Sequence, residues 1–378
     1  MPGRDESLLM KARPGAIDCD IHPAVPNTKV LLPYLPEYWR DQLVNRFIDR
    51  SPFVLQSYPP NSPIACRPDW RPAQGLPGTD FDALRKQALD AFGTKLAICN
   101  VLHGSIALFN EDMAAVLCSA VNDWIAKELL DRDPRLRASI LLPIQSPDHC
   151  VKEIERLAPD KRFVSVLTLV MGETLLGNRR YWPIYKAAEK HGLPVCVHAG
   201  STFRTAPTYS GWPSYVLEDY VSNGTGFENV LVSFVAEGVF QQFPKLKIVC
   251  AESGITWLPT LLWRLNKEWR GVRAEVPWVD RPPADIIRDH VRFTLQPLDV
   301  PKNDPDKLLR TLEHIGSDEV FLFSTDYPHW HFDGDDVLPD GLTEVSLQKL
   351  LSDNALATYP RLGEGGNIGQ SREHAGRA

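Results

Sequence analysis

Ala16-Ile-Asp-Cys-Asp-Ile-His22 decides how this chain of 378 residues is read. A short apolar run ends on Asp20 and His22, two side chains able to bind a metal. At positions i and i+2 of one strand they face the same side of a sheet. The pattern recurs downstream. Pro194-Val-Cys-Val-His-Ala-Gly200 delivers His198, and Val320-Phe-Leu-Phe-Ser-Thr-Asp326 delivers Asp326, with Tyr327-Pro-His329 directly behind it. Apolar runs that each close on His or Asp read as buried parallel strands whose C-terminal ends converge on one cation.

Between these runs, strand-like and helix-like segments alternate. Strands are expected near 16–22, 95–102, 137–144, 163–170, 194–200, 247–252, 290–296 and 320–326. Helices are expected near 81–92, 111–130, 148–157, 180–191, 229–243, 257–270 and 306–315. Eight such units in series predict an α/β fold with right-handed crossovers, closed as a (β/α)8 TIM-type barrel. Its catalytic groups belong at the C-terminal ends of the strands, and the candidates fall in strands one, five and eight. Residues 1–15 read as an N-terminal extension, 16–362 as the barrel and 363–378 as a disordered polar tail. Segment 23–80, rich in Pro, Arg and aromatics, reads as an insertion over the site and outside the core. Residues 201–226 read as an extended loop on the same face.

The composition is that of a globular protein, 43% hydrophobic and 24% charged. The net charge of -7 is spread without a basic block, which argues against a nucleic-acid partner. No apolar run approaches the length of a membrane span, and the first residues lack the apolar core of a secretory signal. Seven cysteines, an odd number with no CxxC pair, point to a reduced cytoplasmic protein without a disulfide framework.

Asp20, His22, His198 and Asp326 form a mixed N/O donor set. It suits Zn first, with Fe, Mn or Co next, rather than Ca or Mg. Aromatic residues Trp212, Tyr215, Trp257 and Trp330 are candidates to wall an apolar pocket. His103 is a candidate to reach the substrate, and Arg204 and Arg292 to bind an anion.

Five stretches together resemble a known family. They are Ile17-Asp-Cys-Asp-Ile-His-Pro23, Leu193-Pro-Val-Cys-Val-His-Ala-Gly200, Phe243-Pro-Lys-Leu-Lys-Ile-Val249, Glu252-Ser-Gly-Ile-Thr-Trp-Leu-Pro259 and Phe323-Ser-Thr-Asp-Tyr-Pro-His329. The chain resembles the amidohydrolase superfamily over residues 15–360. Within it, the similarity is to the amidohydrolase-related branch that holds aminocarboxymuconate semialdehyde decarboxylase and the dihydroxybenzoate decarboxylases. The resemblance implies a distorted barrel with a metal held by strands one, five and eight. Two positions depart from it: Asp20 stands where the first strand usually has a His, and Glu252 where the sixth strand does. Strand four, Phe163 to Val170, has no Lys, Glu or His, whereas binuclear relatives carry a carboxylated Lys there; this favours one ion per chain.

The expected activity is a metal-dependent hydrolase or decarboxylase acting on a small organic acid, amide or lactone. Asp326, Glu252 and His329 are its expected catalytic groups. Glu252 is read as a general acid–base, a structural carboxylate or an extra ligand, and His329 as orienting Asp326. Two alternatives follow from the resemblance. One is an oxygen-dependent non-haem iron hydroxylase similar to 2-aminoisobutyrate hydroxylase. The other is a metal-containing partner subunit of a hetero-oligomeric enzyme. A homo- or hetero-oligomer of related chains is expected, with a small molecule as substrate.

Overall fold

The computed structural model describes residues 15–50, 53, 65–201, 211–301, 304–329 and 338–364. Eight strands form one parallel sheet in sequence order. They are β1 (Ile17–Ile21), β2 (Leu96–Cys99), β3 (Leu136–Leu141), β4 (Phe163–Met171), β5 (Val195–Ser201), β6 (Ile248–Ala251), β7 (Val291–Thr294) and β8 (Phe321–Leu322). The sheet curls until β8 meets β1. Cys19 N–H donates to Phe323 O (2.9 Å), Asp326 N–H to Asp20 O (3.1 Å), and Ile21 bridges Tyr327. Eight parallel strands closed this way are a (β/α)8 barrel.

The strands are short, buried and rich in β-branched residues, as suits a sheet covered on both faces. Every residue of β3 and β4 is buried. Each Val or Leu so buried contributes about 1.5–3 kcal/mol. Ile17, Cys19, Ile98, Val164, Val249 and Leu322 pack with Ala355, Tyr359 and Leu362 into a separate apolar cluster. The C-terminal helical segment thereby closes the barrel at the N-terminal ends of the strands. Arg361, almost fully buried, locks this plug by donating to His191 O (2.8 Å) and Phe163 O (3.0 Å). The floor is thus apolar, and the opposite end is left for chemistry.

In chain order the helices are α1 (Glu37–Asn45), α2 (Phe81–Leu84), α3 (Glu111–Ile125), α4 (Pro147–Leu157), α5 (Trp182–Lys190), α6 (Val216–Ala236), α7 (Val239–Gln242), α8 (Leu258–Val272), α9 (Pro283–His290) and α10 (Pro305–Ile315). Two short helices, α11 (Glu344–Gln348) and α12 (Asn354–Thr358), follow β8. The abundant prolines are used as starts: α4, α5, α8, α9 and α10 each have Pro in the first turn, where no N–H is missed.

Three expectations are corrected here. The loop expected at 201–226 turns helical already at Val216. Glu218 accepts from Ser214 N–H (2.6 Å) and Tyr215 N–H (2.7 Å), which fixes the helix entry. Gly224 and Gly226 lie under Trp257 and Met171, where an added Cβ would come within 3.6 and 3.3 Å. Close packing outweighs the poor helix propensity of these glycines. The eighth strand, expected over 320–326, has only Phe321–Leu322 in the ladder. Beyond it main-chain bonds to β1 alternate with side-chain ones: Ser324 Oγ accepts from Gln296 N–H, and Asp18 Oδ1 from Thr325 N–H. The insertion also joins the core, because Leu31, Leu43 and Cys66 are fully buried within it. It docks beside the end of β8 through Arg67 N–H to Pro328 O (2.9 Å) and the Trp70–Tyr327 ring pair at 5.0 Å.

Candidate metal centre and cavity

At the C-terminal mouth, β1, β5, β6 and β8 bring six ionisable side chains together: Asp20, His22, His198, Glu252, Asp326 and His329. All six are buried. Their donor atoms form two overlapping groups, each within 4.8 Å: Asp20, His22, His198 and Glu252, and His22, Glu252, Asp326 and His329. The register of β1 slips between Asp18 and Ile21; within that stretch Asp20 reaches the cluster while its neighbour Cys19 packs in the apolar floor. Glu252 and Asp326 both have φ of +57°, in the left-handed region. Neither is glycine, so each costs of order 1–3 kcal/mol, held by the surrounding fold. These are the two residues whose carboxylates turn inward at the ends of β6 and β8.

The hydrogen bonds around the imidazoles set their tautomers. His22 Nδ1 lies 2.9 Å from Asn100 O, and His198 Nδ1 lies 2.7 Å from Ala199 O. A carbonyl only accepts, so each Nδ1 carries a proton and each Nε2 is the nitrogen aimed at the cluster, a lone pair whenever the ring is neutral. Those nitrogens face carboxylates. His22 Nε2 is 3.2 Å from Asp20 Oδ1, 3.2 Å from Glu252 Oε1 and 3.1 Å from Asp326 Oδ1; His198 Nε2 is 3.0 Å from Glu252 Oε1. Imidazole nitrogen and carboxylate sit this close only with positive charge between them, a proton on Nε2 or a metal ion in its place. Donors about 2.0–2.2 Å from one ion, at tetrahedral to octahedral angles, lie about 2.8–3.6 Å from each other, which matches these spacings. Asp20 Oδ2, His22 Nε2 and Asp326 Oδ2 are buried with no hydrogen-bond partner. The donor set therefore fits a divalent transition ion.

The ionisation pattern reports the same demand for cations. Burial alone would lower His22, but Asp20, Asp326 and Glu252 outweigh it and hold the imidazole well above its usual range. His198 and His329 are also raised, against burial, by Glu252 and by Asp326 respectively. Burial raises Asp20. Burial would raise Glu252 too, yet His198, His22 and His329 hold it well below the carboxylate range, so it stands ionised.

Sequence reasoning missed the group that ties two of these residues together. Asn100, just past β2, donates Nδ2–H to Asp20 Oδ1 (2.7 Å), while its carbonyl accepts from His22. Its Oδ1 accepts from Ser139 Oγ–H, which meets Ser165 Oγ at 2.5 Å. The signal was present: Asn100 also closes an apolar run, but it is not a strong metal donor. Asp18 was missed as well. It accepts from Thr325 N–H (3.1 Å) and Thr325 Oγ–H (2.6 Å), and burial pushes its carboxyl up to about 7.

A cavity of about 460 Å³ opens beside the cluster, bordered by Tyr220, Asn223, Glu228, Glu252, Ser253 and Trp257 among others. Glu252 belongs to both cluster and cavity. Trp257 is fixed as a wall by donating Nε1–H to Ser253 O (2.8 Å), and Asn223 is fixed by accepting from Gly200 N–H (2.9 Å). Other candidates lie elsewhere. Trp212 and Tyr215 are exposed. His103 is buried, capping the turn Gly104–Ala107. Arg292 is corrected: its guanidinium donates to the carbonyls of Arg288 and Val291 at the N-terminal end of β7, away from the cavity. Arg204, Trp330 and the tail from 365 onward lie outside the described residues.

The sequence profile of the amidohydrolase family matches residues 17–361. Gamma-resorcylate decarboxylase of Rhodococcus jostii is 26% identical over 279 residues, covering 67% of this chain and 82% of that one. The crystal structure of 2,6-dihydroxybenzoate decarboxylase from Rhizobium superposes with a TM-score of 0.66 at 20% identity, over 92% of this chain and 99% of that one. The 5-carboxyvanillate decarboxylase of Novosphingobium aromaticivorans, complexed with manganese and 4-hydroxy-3-methoxy-5-nitrobenzoic acid, gives 0.67 at 17%, over 93% and 97%. The chain belongs to the amidohydrolase family and is one of its metal-dependent enzymes.

Proposed function

We propose that the chain is a decarboxylase of a small, carboxylate-bearing aromatic acid, using a divalent ion held by Asp20, His22, His198 and Asp326. The observation that supports this best is the pair of fixed imidazole Nε2 atoms facing buried carboxylates at the edge of a cavity of about 460 Å³, within the usual range for a small-molecule pocket. The relatives named above act on such acids. A bound ion would supply a fixed positive charge that orients the substrate's oxygens and offsets the negative charge developing in the transition state. Zn, Mn and Fe all suit a set of imidazoles and carboxylates, and manganese occurs in the vanillate enzyme structure.

The chain's own residues do the rest. Trp257 and Tyr220 border the space for an aromatic face. When the carbon–carboxyl bond breaks, its electron pair stays on the ring carbon, CO2 leaves, and a proton takes the vacated position. Glu252, Asp326 and His329 are the catalytic groups in this reading. Glu252 is the member of the cluster that also borders the cavity, and His329 holds Asp326 Oδ1 at 2.8 Å. The absence of Lys, Glu or His in β4 supports decarboxylation over hydrolysis by the superfamily's carboxylated-lysine centre. The seven cysteines, all buried and unpaired, support a reducing, cytoplasmic setting. Exposed Trp212, Tyr215, Leu217 and Val221 support an oligomer.

The test is turnover of a panel of hydroxybenzoates by the Mn-loaded protein in D2O. The reading expects CO2 release with one deuterium incorporated at the vacated carbon. Hydrolysis of amides or lactones without CO2 release would overturn it.

A further inference from the structure

We propose that the cavity selects an aromatic acid carrying a cationic amine on the side away from its carboxylate, and that Glu228 recognises the amine. This rests on the decarboxylase reading above and adds to it the polarity of the substrate's far end.

The charges around the cavity carry the argument. Its described lining holds three carboxylates, Glu228, Glu252 and Asp299, and no Lys, Arg or His. Two of the three are committed. Glu252 faces the imidazoles of the cluster, 3.0 Å from His198 Nε2 and 3.2 Å from His329 Nδ1. Asp299 caps the turn after β6, accepting from Ile255 N–H (3.0 Å) and Thr256 N–H (3.2 Å). Glu228 is left. It is partly buried on α6, and no described residue donates a hydrogen bond to its carboxylate or pairs with it as an ion. Burial pushes its carboxyl up and Arg264 only partly offsets this, so the site gains from a positive charge brought by a ligand.

The placement of Glu228 sets which end of the substrate it meets. Asn223 is tied to Gly200 N–H (2.9 Å), two residues beyond His198, and so marks the level of the cluster on α6. Glu228 follows five residues later, about 7.5 Å further along the helix axis. It therefore faces the end of a bound acid remote from the ion, not the carboxylate beside it. Trp257, fixed by its bond to Ser253 O (2.8 Å), borders the same space, and an indole face attracts a cation within about 6 Å of its centre. A second carboxylate at this end would instead meet the Glu228 charge in a partly buried place, where salt screens weakly.

The test compares hydroxybenzoates that differ only opposite the carboxylate, where they carry an aminomethyl, a methyl or a second carboxylate group. Each is given to the Mn-loaded protein, and kcat/KM is read from CO2 release. The proposal expects the aminomethyl acid to be favoured over the methyl acid by at least about 10-fold, the effect usual for one hydrogen bond to a charged group. Glu228→Gln should abolish that preference, and Glu228→Lys should turn it toward the dicarboxylate. No such preference in the wild type, or an equal one in Glu228→Gln, overturns the proposal. If none of the acids releases CO2, the decarboxylase reading fails by itself. Calorimetric dissociation constants of the same three acids then decide the proposal on the same ratios, and binding of none of them overturns both.

Discussion

Replacing Asn100 by Ala tests whether the polar group beneath the centre sets its affinity. The side-chain amide donates to Asp20 Oδ1 at 2.7 Å in a place where Asn100 is 1% exposed. The main-chain carbonyl that orients His22 survives the substitution, as does the N–H donated to Ile21 O. The variant therefore removes one hydrogen bond to a buried carboxylate and leaves Ser139 Oγ without its Asn100 acceptor. A hydrogen bond to a charged group contributes about 1.5–3 kcal/mol. At about 1.4 kcal/mol per decade, that is roughly a 10- to 100-fold loss, the range usual for partners that orient metal ligands. The assay is competition for Mn2+ against a fluorescent chelator, with thermal melts of the metal-free proteins as control. A dissociation constant within about twofold of wild type would refute the reasoning, because it would mean that the ion does not depend on an Asp20 held by Asn100.

His103 makes stability depend on pH. Burial pushes its imidazole down to about 4, so the folded protein keeps it neutral while the unfolded chain protonates it near 6.5. The group is silent above pH 7 and costs stability as pH falls, by about 2 kcal/mol at pH 5. Urea midpoints of wild type and His103→Gln should therefore converge between pH 7 and 5; parallel curves would contradict this. Gly78 has φ of +73° and an added Cβ would lie 2.5 Å from His22 O. Gly78→Ala should destabilise the protein by about 1–3 kcal/mol and weaken Mn2+ binding together, read by melting and by chelator competition; an unchanged metal affinity would show that the insertion does not press on the ligand strand. Arg361→Ala should lower the melting temperature of the metal-free protein through its lost bonds to His191 O and Phe163 O, while leaving metal affinity unchanged.

The order of strands was legible because each buried strand is a short apolar run, and burial on both faces demands such a run. The four metal candidates stood out because they close three of these runs, and a barrel turns that position into a common point in space. What was not legible depends on contacts distant in sequence. The passage of α6 through Gly224 and Gly226 rests on Trp257 and Met171 packing over them, which no local propensity reveals. Asn100 reads as a strand-end amide until β1 is placed beside it. The meeting of Glu252 with three imidazoles depends on a left-handed backbone that sequence does not announce for a Glu.

The central claim is that Asp20, His22, His198 and Asp326 hold a divalent ion at the barrel mouth. Crystals grown with Mn2+ and measured for anomalous scattering test it directly. A strong peak is expected about 2.0–2.2 Å from donor atoms of all four side chains, abolished in His198→Ala. Anomalous density elsewhere, or none at this cluster in protein saturated with Mn2+, would contradict it.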